Sequence, residues 1–268
     1  MTTSFEEDVS PGQQLHVLLK RMFPMDDGND SSFAARIDYA LRADGELVEI
    51  MYNSTINYMT RRLITTARYL KRKSEKEGAS DRDFIYTLRR FLENELHIPG
   101  DKIELILVLL RECVRMSEKE LTRKTIRRIR AQRRNCYICG IVLNRDEDQP
   151  YDSATVEHLW PQSIGGADKD YNLKLACKNC NESKASYVDA SDYHYEEMCL
   201  ISDKEDESFS ADMSRVYEVA IWAKNGYKCT VCAKDAVYMG KLNFGRRNPR
   251  DSWHFLNIDA YCSRHLPE

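Results

Sequence analysis

The sequence predicts an α+β protein whose N-terminal half is mainly helical and whose C-terminal half is held together by zinc. Two observations lead to this fold class. Apolar residues from about Leu15 to Asn135 recur at the spacing of one helix face. After Asn135 most of the cysteines come in CxxC pairs, the spacing typical of zinc ligands. The 268 residues allow one large or two to three small domains.

Composition and charge exclude several classes of protein. With 42% hydrophobic and 31% charged residues, the chain resembles a soluble globular protein. Its longest aliphatic run, Leu105 to Leu110, is far shorter than the about twenty residues of a bilayer span. Glu6, Glu7 and Asp8 stand where a signal peptide needs a basic region, so we expect a cytoplasmic protein without membrane contact. The net charge of -3 means that any nucleic-acid surface must be local.

Three apolar stripes predict helices in the N-terminal half. Their members are Tyr58, Met59, Leu63, Ala67 and Leu70; Phe84, Leu88, Phe91 and Leu92; and Ile103, Ile106, Leu107, Leu110 and Val114. Ser80 precedes the second stripe. Asp101 with Glu104 resembles a capping signal after Pro99-Gly100. We expect these stripes to form a helical core without a chemical role.

The helical half ends in a basic segment. Residues 115–135 hold nine basic and two acidic side chains. One interpretation is a solvated helix face. The other is a helix that contacts phosphates, because the segment directly precedes a cysteine pair. On the second interpretation the nucleic-acid contacts are Arg123, Arg127, Arg130 and Arg134.

An acidic segment follows further along the chain. Residues 189–212 hold nine acidic side chains and a single basic one, Lys204. We expect a linker centred on Ile201 to Ser210. The alternative is an autoinhibitory segment that mimics phosphates over the basic helix. A short helix is predicted to follow, from Met213 to Lys224.

Eight metal ligands follow from the cysteine spacing. One set of four is Cys136, Cys139, Cys177 and Cys180, and the other is Cys229, Cys232, Cys262 and His265. Each set suits a closed tetrahedral zinc site, which would stabilise a segment too short to fold on its own core. His254 competes for the last position, but the CxxH spacing favours His265. Cys113 and Cys199 stand alone.

A second constellation lies between the first two cysteine pairs. Its members, in chain order, are Glu157-His158, Gly165-Gly166, Asn172-Leu173 and Asn181-x-x-Lys184. Together with the second CxxC pair these make five features in order, and they resemble the HNH endonucleases, whose ββα-metal unit carries an acid-His pair and a CxxC that opens a helix. The resemblance covers about Asn135 to Ser186, a fifth of the chain.

The resemblance implies a role for each of these residues. Glu157 and Asn181 would hold a catalytic Mg²⁺ or Mn²⁺ through oxygen atoms, since a four-thiolate zinc has no open position. His158 would be the general base. Asn172 would hold His158 in its orientation. Lys184 would contact phosphate, with a solvated lysine as the alternative.

Two positions depart from the common family pattern. The third named residue is Asn181 in place of His, an arrangement shared by the HNH domains of RNA-guided CRISPR nucleases. The acid is Glu157 rather than Asp, which is one methylene shorter. Neither departure removes a metal ligand or the base.

We therefore expect a metal-dependent HNH endonuclease with structural zinc. The expected parts are a helical domain over 1–134, the HNH unit over 135–188, the acidic linker over 189–212 and a zinc-binding module over 213–268. DNA is the expected substrate because similar enzymes cut it. The helical domain would bind a regulatory partner such as an ATPase, as in bacterial anti-phage effectors. The alternatives are an RNA-cleaving HNH nuclease and a non-catalytic zinc-dependent nucleic-acid-binding or scaffold protein.

Overall fold

The computed structural model describes residues 9–29, 32–41, 45–94, 96, 98–132, 134–143, 153–193 and 213–267. The chain divides into two compact units, each built from segments distant in sequence. The first unit comprises residues 1–42, 52–120 and 158–172, and the second comprises residues 43–51, 121–157 and 173–268. The four-part division by sequence stays a prediction.

Six helices lie in the described part of the N-terminal half, and three of them carry the predicted apolar stripes. The six helices are α1 (Pro11–Met22), α2 (Phe33–Leu41), α3 (Gly45–Lys76), α4 (Asp81–Asn94), α5 (Gly100–Ser117) and α6 (Arg123–Gln132). With the two small sheets that follow, they confirm the α+β class. None of the helices in the described ranges has the length and apolarity needed to cross a bilayer.

Two helix starts can be compared with the sequence signals. Ser80 lies directly before α4, and its Oγ accepts a hydrogen bond from the backbone N–H of Asp83 at 3.3 Å. The signal at Asp101 is wrong as a cap, because α5 already begins at Gly100. Its N-cap is Pro99, which has no side chain that can accept an amide hydrogen.

The first unit is organised around α5. This helix packs against α1, α4 and a short 3₁₀ helix, Gln162–Ile164. Leu19, Leu88 and Leu110 are fully buried, which agrees with the predicted helical core. The segment 158–172 therefore packs against α5 through this 3₁₀ helix.

The second unit contains all the strands and the remaining helices. They are β1 (Ala154–His158), β2 (Leu173–Cys177), α7 (Lys178–Lys184), α8 (Arg215–Lys224), α9 (Ala236–Met239), β3 (Asn243–Arg246) and β4 (Ile258–Tyr261). One residue of these elements, His158 at the end of β1, is assigned to the first unit. β1 pairs with β2, and β3 pairs antiparallel with β4. α7 packs against α8 and β2, while α6 packs against β2. The helix predicted from Met213 to Lys224 is confirmed as α8, with Ser214 as its N-cap.

Candidate active site

The first cysteine set forms a buried cluster. The sulfur atoms of Cys136, Cys139, Cys177 and Cys180 all lie within 4.8 Å of one another. Burial raises the pKa of the Cys136 thiol, but hydrogen bonds with the other three sulfurs lower it well below its usual range. Four thiols in one buried place are the donor set of a closed structural zinc site, as the spacing predicts.

A glycine makes the first cysteine pair compact. Gly140 directly follows Cys139 and has a φ of +74°, in the left-handed region that favours glycine. A Cβ atom at this position would lie 2.2 Å from the carbonyl oxygen of Gly240, at the end of α9. The backbone of the first cysteine pair therefore packs directly against the backbone of the C-terminal segment at Gly240.

The second set also forms a cluster. The ligand atoms of Cys229, Cys232, Cys262 and His265 lie within 4.8 Å of one another. His265 Nδ1 is 3.3 Å from the sulfur of Cys262. The competing His254 instead places Nε2 3.2 Å from a carboxylate oxygen of Asp251. The cluster therefore contains His265 and not His254.

The electrostatics of the second cluster favour a thiolate. Burial raises the pKa of the Cys229 thiol, but hydrogen bonds from nearby backbone amides and from His265 lower it to about 6. A thiolate is the form of cysteine that binds a metal. Three sulfurs and one imidazole nitrogen suit zinc.

Two side-chain pairs connect β1 with α7 in the second unit. Asn181 Nδ2 donates a hydrogen bond to Thr155 Oγ1 at 3.1 Å, and Lys184 Nζ donates to Glu157 Oε1 at 2.7 Å. Thr155 and Glu157 are two residues apart on a strand, so their side chains point to the same face. Asn181 and Lys184 are three residues apart on a helix and share a face as well. The predicted metal ligands, Glu157 and Asn181, thus belong to neighbouring cross-links.

Glu157 and Lys184 form a buried ion pair. The side chain of Glu157 is 9% exposed and that of Lys184 is 2% exposed. Burial and then the charge of Glu157 raise the pKa of Tyr227. The alternative of a solvated Lys184 is therefore wrong. A phosphate contact by Lys184 would require its ammonium group to leave Glu157.

Glu157 and Asn181 offer the kind of donor atoms that a hard divalent cation prefers. A carboxylate and an amide supply the oxygen atoms that Mg²⁺ and Mn²⁺ prefer. With Asn181 Nδ2 bonded to Thr155, the other amide atom, Oδ1, is the acceptor. The ammonium group of Lys184 already serves as a cation beside Glu157. This observation indicates that the buried carboxylate needs a positive neighbour.

His158 belongs to the first unit, together with the segment that follows it. Its Nε2 lies 2.8 Å from Asp168 Oδ1, and the two side chains are 10% and 7% exposed. Sequence reasoning missed Asp168. The signal that could have found it is an acid two residues after a Gly-Gly turn, within the loop that follows His158.

Asn172 closes the loop that contains both residues. Its Oδ1 accepts a hydrogen bond from the backbone N–H of Trp160 at 2.7 Å. Its Nδ2 donates to the carbonyl oxygens of Trp160 at 3.1 Å and Ala167 at 3.0 Å. Its own carbonyl oxygen accepts from the N–H of Leu159 at 2.8 Å. These bonds fix the residues adjacent to His158 and Asp168, so any effect of Asn172 on the imidazole passes through the backbone.

The Gly-Gly pair makes the tight turn of this loop. Gly165 has a φ of +83°. A Cβ atom at Gly166 would lie 2.0 Å from the carbonyl oxygen of Trp160. Both positions therefore require glycine, in agreement with the turn that the sequence indicates.

The basic helix α6 has an exposed cationic surface. Its charged members are Arg123, Lys124, Arg127, Arg128 and Arg130, all exposed, and Arg134 beyond its end is exposed too. Arg130 donates to the carbonyl oxygen of Ala154 at 3.0 Å, at the start of β1. The cationic helix thus lies beside the strand that carries Glu157. Arg133 lies outside the described residues.

Several other predicted features also fall outside them. These are Cys199, the N-terminal acidic residues and the acidic segment from 194 to 212. The acidic segment begins within the described residues, where Asp189 is the N-cap of a 3₁₀ helix, Ala190–Asp192. Its side chain accepts a hydrogen bond from the backbone N–H of Ser191. The linker and the autoinhibitory alternative stay predictions.

Comparison with known protein families agrees with the residues described above. The family model described as HNH endonuclease matches residues 136–192. The matched range contains the four-cysteine cluster and all four residues predicted from the motif. A comparison with curated proteins gave no match, and neither did a comparison with solved structures. Residues 136–192 thus match the HNH endonuclease family model, and this range contains a four-cysteine cluster suited to zinc.

Proposed function

We propose that this protein is a metal-dependent endonuclease that hydrolyses phosphodiester bonds in DNA. The observation that carries the proposal is the pair Glu157-His158 at the end of β1. Both residues are more than nine-tenths buried, and each is bonded to a charged partner. Ordinary surface residues would be exposed to solvent instead of buried beside a charged partner.

His158 is the proposed general base. A neutral imidazole accepts a proton near neutral pH, so His158 would take one from the attacking water. Asn172 would keep the surrounding loop in place through its hydrogen bonds. Glu157 and Asn181 would bind Mg²⁺ or Mn²⁺. When bound, such an ion neutralises the negative charge that develops on the leaving oxygen.

The cationic surface of α6 supports a nucleic-acid substrate. Arg123 and Arg127 are one turn apart and exposed, and Arg130 is bonded to the first residue of β1. Exposed arginines in a row suit consecutive phosphates of a backbone. Lys184 could contact a phosphate only if its ammonium group left Glu157. Metal binding at Glu157 would permit this, because the metal ion would then neutralise the carboxylate.

DNA is proposed over RNA because the enzymes that the motif resembles cut DNA. Hydrolysis by an activated water needs no 2′-hydroxyl group, so the proposed catalytic residues themselves do not distinguish DNA from RNA. An RNA-cleaving nuclease is therefore the second candidate within the same chemistry. Cutting of single-stranded RNA without cutting of duplex DNA would select it.

A regulatory role is proposed for the helical half. The described residues of this half form a packed core around α5. None of the proposed catalytic residues belongs to it. We propose that it binds a partner such as the ATPase of a bacterial anti-phage system, which would restrain the nuclease. Purification without a partner, together with unregulated cutting, would contradict this part of the proposal.

The test is a plasmid-cutting assay with Mg²⁺ or Mn²⁺ that compares the zinc-loaded wild type with His158→Ala. Loss of the base is expected to reduce the rate by about 10² to 10⁴ while nucleic-acid binding persists. His254→Ala is the matched control, because it removes a partly exposed imidazole outside the HNH domain. Equal behaviour of the wild type and His158→Ala would favour a non-catalytic scaffold.

A further inference from the structure

We propose that one exposed face of α3 is a second surface that binds the backbone of duplex DNA. This face, which we call the α3 stripe, consists of Tyr58, Arg62, Thr65, Tyr69 and Arg72. It lies in the helical half, outside the range that the family model matches. The inference rests on the proposed function only for the class of substrate, because it involves none of the proposed catalytic residues.

The α3 stripe is one continuous helix face. Its members follow one another at intervals of three or four residues, which is the spacing of side chains on the same side of a helix. All five are exposed, and Tyr58 and Tyr69 are 64% and 63% exposed. Ile56, Leu63 and Ala67 of the same helix are buried. At the rise of an α-helix the stripe is about 21 Å long, the length of about six base pairs of duplex.

The stripe is cationic and contains no acidic residue. Lys71, which lies beside it on α3, has two acidic partners, since its Nζ is 3.6 Å from a carboxylate oxygen of Glu75 and 3.2 Å from one of Asp81. Arg62 and Arg72 have no such partner among the described residues. The fold therefore presents two arginines to solvent with their charges uncompensated, as a polyanion would require.

The exposed face of α4 gives a comparison within the same unit. Tyr86 of this helix is 61% exposed, so an exposed tyrosine is not peculiar to α3. The exposed charged residues of α4 have both signs and are Asp81, Arg82, Asp83, Arg90 and Glu93. A mixture of this kind is typical of a solvated helix face. The acids would repel a phosphate backbone from α4, and the α3 stripe lacks them.

The chemistry of the stripe suits phosphates. Each of its side chains can donate a hydrogen bond, through a guanidinium group, a phenol or a hydroxyl. Arginine, tyrosine and threonine are among the residues that contact phosphate oxygens in protein–DNA complexes. A DNA backbone presents acceptors along the whole length of the stripe. This arrangement suits five donors in a row better than a single acidic patch on a protein would.

The stripe lies on the helix that contacts the loop after His158. Arg68 of α3 donates a hydrogen bond from Nη1 to the carbonyl oxygen of Ser163 at 3.2 Å. Ser163 belongs to the segment 158–172, which is part of the first unit together with residues 52–76 of α3. Arg68 directly precedes Tyr69 of the stripe. DNA that reaches this loop is therefore close to the stripe.

Photochemical crosslinking tests the contact directly. The photoreactive residue p-benzoylphenylalanine replaces Tyr69 in one zinc-loaded protein and Tyr86 in another, and these two positions are almost equally exposed. Each protein is irradiated with a labelled duplex without added Mg²⁺ or Mn²⁺, so that the DNA stays intact. We expect a crosslink at position 69 that excess unlabelled duplex prevents, and a much weaker one at position 86. No crosslink at position 69, or equal yields at the two positions, overturns the proposal.

Binding measurements test the arginines. In Arg62→Gln with Arg72→Gln, the slope of log affinity for duplex DNA against log salt should fall by about 1.8, or about 0.9 for each arginine. The affinity at about 0.1 M salt should fall on the order of 10-fold. Arg82→Gln with Arg90→Gln on α4 is the matched control and should behave like the wild type. Zinc content and the thermal midpoint establish that both variants fold. An unchanged slope in the α3 variant, or equal decreases in the two variants, overturns the proposal.

The outcomes separate this surface from the proposed function. A wild type that binds and crosslinks duplex DNA without cutting it contradicts the nuclease and leaves the surface in place. A wild type that cuts DNA, together with unchanged binding in the α3 variant, overturns the surface alone. Weaker binding of the α3 variant to single-stranded RNA alone overturns the assignment to duplex DNA. Unchanged DNA binding with loss of a co-purifying protein also overturns it, because the stripe would then bind an acidic protein.

Discussion

Glu157 Oε1 lies 2.7 Å from Lys184 Nζ, and 9% and 2% of the two side chains are exposed. The pair joins the end of β1 to the last residue of α7. In a medium of low dielectric constant each charge depends on the other. A divalent cation at Glu157 must therefore share the carboxylate with Lys184 or displace it.

Lys184→Met is expected to destabilise the protein strongly. It leaves Glu157 buried without its cation, and breaking such a pair typically costs about 3 to 5 kcal/mol. The measurement is the urea midpoint of the zinc-loaded protein. The double variant Glu157→Gln with Lys184→Met is the control, since it removes both charges and should recover part of the stability. A double variant less stable than the single one would contradict the importance of the ion pair.

Two zinc ions per chain are expected from the two clusters. Cys232→Ser should reduce the content to one, because it removes a ligand of the second cluster. Cys180→Ser should remove the other ion and unfold the segment around α7, whose first turn carries that ligand. Elemental analysis of the dialysed proteins checks both. Two ions retained in Cys232→Ser would show that this residue is not a ligand.

Gly140→Ala should loosen the first zinc knuckle. The substitution places a Cβ atom 2.2 Å from the carbonyl oxygen of Gly240, in addition to the strain of a positive φ. Gly78→Ala is the matched control, because Gly78 also has a positive φ but faces open space. The control should cost about 1 to 2 kcal/mol from backbone strain alone. The rate of zinc release to a chelator measures the difference, and equal rates would argue against the close packing.

Arg123→Gln with Arg127→Gln should weaken nucleic-acid binding about equally for all sequences. If each arginine neutralises one phosphate, the slope of log affinity against log salt on duplex DNA should fall by about 0.9 for each arginine replaced. Binding measured between low and moderate salt gives this slope. Arg82→Gln with Arg90→Gln removes the same exposed charge from α4 and should leave the slope unchanged. Equal effects of the two pairs would favour a solvated face on α6.

The zinc ligands could be predicted because their signal is local. Two cysteines separated by two residues form one knuckle whatever the rest of the chain does, and the CxxH spacing placed His265 correctly for the same reason. The helical stripes were also readable, since a helix face repeats within a few residues. The start of α5 was not, because Pro99 is its N-cap and Asp101 lies inside the first turn.

The chain alone determined which residues form the metal clusters, where the Glu157-His158 pair stands and that the protein is α+β. Only the tertiary structure decided their partners. From the sequence, Lys184 was expected to contact phosphate, with a solvated lysine as the alternative, yet α7 turns it towards β1, where it neutralises a buried acid. Asp168 was not singled out from the sequence, yet the turn at Gly165 and the bonds of Asn172 bring it to His158. Spacing specifies ligands that are near in sequence. The partner of a buried charge depends on which faces the fold brings together.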